Sequence, residues 1–337
     1  MPIKIPQLVL PDFWLSNVDQ VEAYLDGNVA RGIVHSAGTS VRGRRLRVVE
    51  YSPGLRRHKL LVIGGTHGHE PGTVAACMNL IHLLETGQDL AGEKHPDLDA
   101  VLDQVHLYIM PMLNPDARAV CMDSFYAQGV DTCVAYASGL QRNGDLVPYD
   151  ADSTEPCYYF DPADALFVGG QFNAAGWAIN RRLSDEFSEA IEVQQLLEFV
   201  QPLGLDAILD LHACGYNFAI QARSLPAPYW PIVREWHARA EPLFAHKGRQ
   251  LSPVHGDGNP PTPPEFFFNS ILFHRQAHVG WLSFEGRQGY VGRASFMPLP
   301  TEWEIIDDYL SAVMIFLELG AAGAWAEANA ETFGLGT

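Results

Sequence analysis

The apolar and polar positions along the chain predict strands that alternate with helices. Lys59–Gly65 (KLLVIGG) and Val105–Leu113 (VHLYIMPML) are continuous apolar runs, which are typical of strands buried on both faces of a sheet. Leu205–His212 and Val279–Phe284 have the same character. Arg45–Tyr51 instead alternates polar with apolar residues, as a half-buried strand does.

Longer segments with apolar residues at helical spacing lie between and after these strands. The last of them starts with Thr301 and Glu304, which fit the capping box of a helix N-terminus. Strands that alternate with helices predict an α/β fold in which a mixed, largely buried sheet is flanked by helices. The predicted helices are Pro71–Glu85, Asp185–Val200 with Ser184 as its cap, Pro231–His246, and Thr301 to about Ala326.

The chain is predicted to form a single domain over residues 1–337. This length exceeds the most common domain size, but large α/β folds reach it around one core. Residues 119–176 lack a regular pattern and are rich in Asp, Gly and Tyr, so we expect a long ordered insertion there. Ser252–Pro264 is rich in Pro and Gly and is expected to be a surface loop.

The composition is that of an acidic globular protein. Apolar residues make up 47% of the chain, charged residues 18%, and the formal net charge is −18. Nucleic acids and anionic membranes bind clustered Lys and Arg, so neither is an expected partner. No run reaches the ~18 apolar residues that a membrane span needs. The five scattered cysteines and the lack of a secretion signal predict reduced thiols and a cytoplasmic location.

A histidine and a carboxylate follow directly after the predicted strand Lys59–Gly65. His67 and Glu70 belong to the sequence His67-Gly68-His69-Glu70, which lies between this strand and a helix. Zinc binds imidazole nitrogen and carboxylate oxygen, and a turn through Gly68 can direct both side chains to one point. His69 is a competing ligand, but its side chain diverges from that of the adjacent Glu70. A third ligand is needed from elsewhere in the chain.

His212 can supply this third ligand because it ends another predicted strand, Leu205–His212. The carboxyl ends of neighbouring strands are where open α/β sheets bind ligands. An HxxE spacing alone is weak, since His82 and Glu85 repeat it inside a predicted helix, where we expect both on a solvated face. Together, His67, Glu70 and His212 predict a catalytic zinc site that leaves one position for water.

Two further groups have chemistry that suits such a site. Glu285 ends the predicted strand Val279–Phe284, and a carboxylate near a metal-activated water can accept its proton. A strand-end Glu without a metal nearby is usually only exposed. Asn180 and Arg181 place an amide beside a planar guanidinium, which suits a substrate carboxylate. Taken alone, however, Arg181 and Arg182 are better explained as the start of a surface helix that forms salt bridges.

In their order along the chain, these segments resemble the zinc carboxypeptidase superfamily, which includes aspartoacylase and succinylglutamate desuccinylase. The resemblance implies a mixed sheet of about eight strands and one Zn²⁺ per chain on His67, Glu70 and His212. It also implies a substrate carboxylate on Asn180 and Arg181, with Glu285 promoting attack by water. The matching segments are GGTHGHE (64–70), PMLNPDA (111–117), INR (179–181), DLHA (210–213) and SFEG (283–286).

Two positions depart from the pattern of this superfamily. In the superfamily, an Asp usually lies two residues before Asn-Arg and orients the first ligand histidine. Here that position is Ala178, so His67 needs another partner, and Asp210 is a candidate. An Arg upstream of Asn-Arg usually stabilises the oxyanion, but Gly169–Trp177 contains none. Arg142 or Arg118 would have to reach in from the insertion, and we prefer Arg142.

The predicted function is hydrolysis of an amide or peptide bond next to a free carboxylate, as in metallocarboxypeptidases. The segment after Glu285 is short and mostly helical, unlike the β-rich domain that follows the catalytic Glu in the aspartoacylase branch. An N-acyl amino acid deacylase of that branch is the alternative, and a non-catalytic zinc- or carboxylate-binding protein is a third hypothesis. The expected partner is a small molecule or peptide that bears a carboxylate, and the sequence gives no prediction of the oligomeric state.

Overall fold

The computed structural model describes residues 9–51, 58–95, 101–147, 157–182, 186–213, 219–221, 225–254, 267–291 and 299–334. The strands in these ranges are β1 Ile33–Thr39, β2 Arg45–Tyr51, β3 His58–Ile63, β4 Val105–Met110, β5 Gly139–Gln141, β6 Ala165–Val168, β7 Arg181–Arg182, β8 Ala207–Ala213, β9 Ala219–Gln221, β10 Phe267–Phe268 and β11 Gly280–Gly286. The helices are α1 Val18–Gly27, α2 Pro71–Thr86, α3 Pro115–Arg118, α4 Val130–Ser138, α5 Ile191–Val200, α6 Trp230–His246, α7 Asn269–Ala277, α8 Glu302–Ala321 and α9 Ala324–Phe333.

The main sheet is mixed, as the sequence predicted. Among the described residues it has seven strands in the order β1-β2-β4-β3-β8-β11-β9, where the resemblance implied about eight. The four central strands, β4, β3, β8 and β11, are parallel, and β1, β2 and β9 add antiparallel pairs at the two edges. Central parallel strands are covered on both faces, which explains their continuous apolar runs.

Helices cover both faces of the sheet. Leu60, Val62 and Leu209 point into one apolar cluster, which also contains residues of α2, α6 and α8. Their neighbours along the strands, such as Leu61 and Ile208, point into a second cluster with residues of α5 and α7. This two-sided burial confirms the predicted α/β class.

Several element boundaries differ from the prediction. The last helix has the predicted capping box, since the Thr301 hydroxyl accepts from the Glu304 amide at 3.2 Å and the Glu304 carboxylate accepts from the Thr301 amide at 2.7 Å. It ends at Ala321, however, because Gly323 adopts a left-handed conformation (φ +82°) before α9 begins. The predicted helix Asp185–Val200 begins only at Ile191, and its predicted cap Ser184 lies outside the described residues.

The segment 119–176 contains regular structure that its irregular sequence pattern did not predict. Helix α4 is followed by a small antiparallel pair, β5 with β6. The backbones of Gly139 and Gly169 lie in close contact. A Cβ on either residue would lie within 2.5 Å of the backbone nitrogen of the other, so neither position has space for a side chain. Most of the Pro/Gly-rich loop 252–264 lies outside the described residues.

His82 and Glu85 were expected on a solvated helix face, and this expectation is wrong. The Tyr24 hydroxyl lies 2.6 Å from His82 Nδ1. The Glu85 carboxylate accepts from the amides of residues 30–32 at 2.8–3.0 Å and from the Tyr51 hydroxyl at 2.7 Å. Both residues therefore attach the N-terminal segment to α2. Within the described ranges, no single helix is long and apolar enough to cross a membrane, and α8 with α9 meet that test only as a pair bent by 63°.

Candidate metal centre

The turn after β3 brings the His67-Gly68-His69-Glu70 segment to the carboxyl edge of the sheet. Gly65 has φ +60°, a conformation that L-residues rarely adopt, and its amide donates to the Thr73 hydroxyl at 2.9 Å. The Thr73 hydroxyl in turn donates to the Glu70 carbonyl at 2.7 Å. These bonds fix the path of the chain from the end of β3 into the first turn of α2.

Gly68 lies in tight contact with α3. A Cβ at this position would lie 2.4 Å from the carbonyl carbon of Ala117, so no larger residue fits. The Gly68 amide donates to the Gly170 carbonyl at 2.9 Å, and the Arg118 guanidinium donates to the Gly68 carbonyl. The sequence indicated a glycine-dependent turn here, and the structure shows that close backbone approach is the reason.

The structure brings His67, Glu70 and His212 together. His67 Nδ1 lies 2.9 Å from Glu70 Oε1 and 3.2 Å from His212 Nδ1, and His212 Nδ1 lies 3.5 Å from Glu70 Oε2. All three residues are buried, with exposed fractions of 6%, 3% and 2%. No other group of three potential ligand residues occurs within the described ranges.

The spacing of these donor atoms fits a zinc ion. When ligands lie about 2.0–2.1 Å from zinc in a tetrahedral site, they lie about 3.3–3.4 Å from one another. The 3.2 Å between the two histidine Nδ1 atoms is close to this value, and each of these atoms lies 2.9 or 3.5 Å from one of the two Glu70 oxygens. Glu70 Oε2 is buried and has no hydrogen bond within the described structure, which a cation would satisfy. Two imidazole nitrogens and a carboxylate are also a ligand set that zinc prefers.

The buried charges in this cluster stabilise one another. Burial alone would raise the pKa of Glu70, but the neighbouring His67 and His212 outweigh burial and lower it. Burial alone would lower the pKa of His212, but Asp210 and Glu70 outweigh burial and raise it well above its usual value. Burial lowers the pKa of His69 to about 3, so this imidazole is neutral at physiological pH.

Asp210 contacts His212 and not, as the sequence suggested, His67. Its Oδ2 lies 2.7 Å from His212 Nε2, and its Oδ1 accepts from the Thr66 hydroxyl at 2.7 Å. His67 Nε2 has no hydrogen bond within the described ranges. Ala178, where the superfamily has its Asp, is buried in an apolar cluster.

Glu285 lies directly opposite His212 in the neighbouring parallel strand. Residues paired in this way project from the same face of a sheet, so the Glu285 side chain is on the same side as that of His212, the third candidate ligand. The next residue, Gly286, leaves no space for a side chain, because a Cβ there would lie 2.4 Å from the ring of Tyr309. Burial, followed by the charges of Glu70 and Glu285, raises the pKa of Tyr309 well above its usual value.

Arg181 is a buried residue, with 7% of its surface exposed, rather than part of a solvated surface. It lies in β7, which pairs with β10. The backbone just before Asn180 is fixed by a hydrogen bond, because the Asn269 side chain donates to the Ile179 carbonyl at 2.9 Å. A buried guanidinium suits the binding of a carboxylate, and the role of Asn180 and Arg181 stays a prediction.

The two candidates for the oxyanion arginine are Arg142 and Arg118. Within the described residues, neither side chain forms a hydrogen bond to the side chains of the three candidate ligands. Arg142 is exposed, and its Nε donates to the Ala163 carbonyl at 2.6 Å. Arg118 is 1% exposed and donates to the carbonyls of Gly68, Cys121 and Met122. Arg118 therefore joins the turn that contains Gly68 to the segment after α3. The catalytic role of Arg142 stays a prediction.

The sequence did not reveal two residues that support the site. The Tyr309 hydroxyl in α8 donates to the His212 carbonyl at 2.9 Å, and Thr66 donates to Asp210. The position of Thr66 directly before His67 was a usable signal. Nothing in the local sequence around Tyr309 separates it from other buried aromatic residues of the helix.

The chain matches a known protein family over most of its N-terminal two thirds. The model of the zinc carboxypeptidase family matches residues 28–216, which is more than half of the 337 residues. The chain belongs to the zinc carboxypeptidase family. The matched region includes His67, Glu70 and His212, the three candidate ligands. Membership of this family confirms the resemblance that the sequence motifs indicated.

Relatives of this chain include mouse (Mus musculus) carboxypeptidase M, which is 27% identical over 153 residues. The match covers 42% of this chain and 33% of the mouse protein, so the chain spans about a third of that relative. A metallo-carboxypeptidase from Burkholderia cenocepacia has a similar fold, with a TM-score of 0.55, 18% identity, and coverage of 94% of this chain and 69% of that chain. A metallo-carboxypeptidase from Pseudomonas aeruginosa, in complex with (2-guanidinoethylmercapto)succinic acid, gives a TM-score of 0.54, 18% identity, and coverage of 90% and 68%.

Proposed function

We propose that this chain is a zinc-dependent hydrolase that cleaves an amide or peptide bond next to a free carboxylate. The observation that carries the proposal is the convergence of His67, Glu70 and His212, with Glu285 directly opposite His212 on the next strand. Membership of the zinc carboxypeptidase family supports the same reaction.

Each group at the centre has a distinct role in this proposal. His67, Glu70 and His212 would hold one Zn²⁺, which would polarise the scissile carbonyl and lower the pKa of water to about 7. The Glu285 carboxylate accepts the proton of the attacking water as the C–O bond forms. It then delivers this proton to the amine as the C–N bond breaks, so Glu285 ends the cycle as the free carboxylate.

Asn180 and Arg181 are proposed to bind the carboxylate of the substrate. Arg181 is buried, so an ion pair there would be shielded from water and stronger than one at the surface. The Pseudomonas aeruginosa relative binds a succinic acid derivative, which supports a carboxylate-bearing ligand for this chain. Arg142 is proposed to stabilise the oxyanion, which requires its exposed side chain to leave Ala163 when substrate binds.

The first experiment is zinc analysis of the purified protein and of His212→Ala. We expect about one zinc per chain in the wild type and a large loss in the variant, because two protein ligands rarely retain zinc. His95→Ala is the matched control, since His95 lies away from the centre and pairs with Asp89 at 2.7 Å. Equal zinc content in wild type and His212→Ala would reject the proposed centre.

The second experiment compares substrates. The wild type is assayed with blocked dipeptides and with N-acetyl, N-succinyl and longer N-acyl amino acids. Cleavage of the dipeptides is the expected result. Cleavage of N-acyl amino acids alone would replace the carboxypeptidase reaction with that of a deacylase, and bound zinc without any hydrolysis would leave a binding protein.

A cytoplasmic location is also proposed. It is supported by Cys77, Cys121, Cys133 and Cys157, which are free thiols in the described structure. Thiol counting on the native protein under denaturing, non-reducing conditions is the test, and a disulfide between any of these four would contradict it.

A further inference from the structure

We propose that Asp210 is a positioning residue of the metal centre, which acts through His212 and takes the place of the orienting Asp that is absent at position 178. This inference rests on the proposed function, because it concerns zinc held by His67, Glu70 and His212. It goes beyond that function by placing the orienting carboxylate on the third ligand and not on the first.

Asp210 is held in one orientation by two hydrogen bonds. Its two carboxylate oxygens lie 2.7 Å from His212 Nε2 and 2.7 Å from the Thr66 hydroxyl. Asp210 and Thr66 are both buried, so these bonds do not compete with water. A buried carboxylate with a bond on each oxygen has little freedom to rotate.

The bond to Asp210 selects the useful tautomer of His212. His212 Nε2 faces the Asp210 carboxylate, and Nδ1 faces His67 and Glu70, where a metal would bind. With Nε2 as the donor to Oδ2, Nδ1 is the nitrogen that can offer its lone pair to a metal. The Tyr309 hydroxyl holds the backbone of the same residue through its carbonyl. The His212 ring is therefore fixed at its far nitrogen and at its backbone.

Asp210 also joins the two segments that carry the ligands. Thr66 directly precedes His67 in the turn after β3, whereas Asp210 lies in β8 two residues before His212. The Thr66–Asp210 bond thus sets the distance between the first and third ligands. His67 has no such partner at its own Nε2 within the described structure, and Ala178 lies in an apolar cluster that offers no carboxylate.

The test is the zinc affinity of the metal-free protein, measured by competition with a chromophoric chelator. Asp210→Asn is expected to bind zinc about 10- to 100-fold more weakly, as loss of a carboxylate behind a ligand histidine does elsewhere. Thr66→Val is expected to lose about 3- to 10-fold, because it removes one neutral donor. Ser283→Ala is the control, since Ser283 lies opposite Asp210 in the neighbouring strand and should leave the affinity unchanged.

Two further readouts separate positioning from a general loss of structure. The metal-free variants are unfolded thermally, and their Co²⁺ complexes are compared by visible absorption, which reports the geometry around the metal. A changed Co²⁺ spectrum in Asp210→Asn with a folded metal-free state supports the proposal. If Asp210→Asn does not fold, Thr66→Val decides, and a wild-type affinity in that variant overturns the proposal.

The outcomes distinguish this inference from the proposed function. Zinc affinity in Asp210→Asn within about twofold of that of Ser283→Ala overturns the positioning role while leaving the zinc centre in place. A wild-type protein that binds no zinc removes the proposed function and this inference together.

Discussion

The hydroxyl of Tyr309 donates to the backbone carbonyl of His212 at 2.9 Å, so the long helix α8 is joined directly to the strand that carries the third candidate ligand. Both residues are buried. The bond connects a residue that comes after every predicted ligand to one in the middle of the chain. The packing of α8 on the sheet therefore helps to fix the position of His212 in the candidate metal centre.

Tyr309→Phe is expected to lower the free energy of unfolding by about 1–2 kcal/mol, because a buried carbonyl loses its donor while the ring still fills its space. Zinc affinity should fall less than in Asp210→Asn, since the His212 ring keeps its bond to Asp210. Urea unfolding and chelator competition measure the two effects. A loss of zinc affinity larger than that of Asp210→Asn would contradict this order.

Glu285→Gln is expected to lower kcat by about 10²- to 10⁴-fold, because an amide cannot accept the proton of the attacking water. Zinc content should be unchanged, since Glu285 is not one of the three converging residues. Glu318→Gln, a partly exposed position in α8, is the matched control. Full activity in Glu285→Gln would remove this residue from the proposed reaction.

Arg181→Lys is expected to reduce kcat/KM by at least about tenfold on substrates with a free carboxylate, because an ammonium group cannot form two parallel hydrogen bonds to it. The effect should disappear when the substrate carboxylate is amidated, since such substrates do not use this contact. Arg239→Lys changes an exposed arginine of α6 in the same way and serves as the control. An equal loss on acid and amide substrates would mean that Arg181 acts on folding and not on recognition.

The sequence predicted the parts of the site that depend on strand ends. His67, Glu70 and His212 all follow or end buried apolar runs, and such runs identify central strands whose carboxyl ends meet. The sequence did not predict the partner of Asp210. On a strand, Asp210 shares a face with His212, but whether it contacts His212 or His67 depends on side-chain rotamers that the pattern does not contain.

Long-range and backbone-dependent features were also beyond the sequence pattern. The helix break at Gly323 depends on a left-handed residue inside an otherwise apolar segment, which periodicity alone joins into one helix. The contact of Tyr309 with His212 depends on how α8 packs on the sheet. Glu85 has the spacing of a solvated helix position, and only the fold brings residues 30–32 to it.

Glu85 gives a prediction for the pH dependence of stability. Burial would raise its pKa, but hydrogen bonds from the Arg31 and Ala30 amides and from Tyr51 outweigh burial and lower it. A carboxylate with a lowered folded-state pKa stabilises the protein above its unfolded pKa, about 4.3, and this stability is lost as the pH falls through the folded-state value. The protein should therefore lose stability on acidification below about pH 5.

Glu85→Gln tests this dependence. At pH 7 the variant should be less stable by about 1 kcal/mol, because an uncharged amide is a weaker acceptor for the three backbone amides. The difference from the wild type should shrink as the pH falls from about 5 to about 3, since the wild-type carboxyl then becomes neutral as well. Urea unfolding across this range is the measurement, with Glu198→Gln at an exposed position of α5 as control. A difference that stays constant with pH would contradict the proposed ionic contribution.

Gly68→Ala tests whether the ligand turn depends on close contact with α3. The new methyl group would lie 2.4 Å from the carbonyl carbon of Ala117, and backbone cannot yield as a flexible side chain does. The turn must shift, so we expect a loss of about 1–3 kcal/mol in stability together with weaker zinc binding. Gly129→Ala is the control, because a Cβ at Gly129 meets no atom within 4 Å. A variant that is less stable but binds zinc as tightly as the wild type would show that His67 and Glu70 keep their positions when the turn moves, and the contact with Ala117 would then support the fold alone.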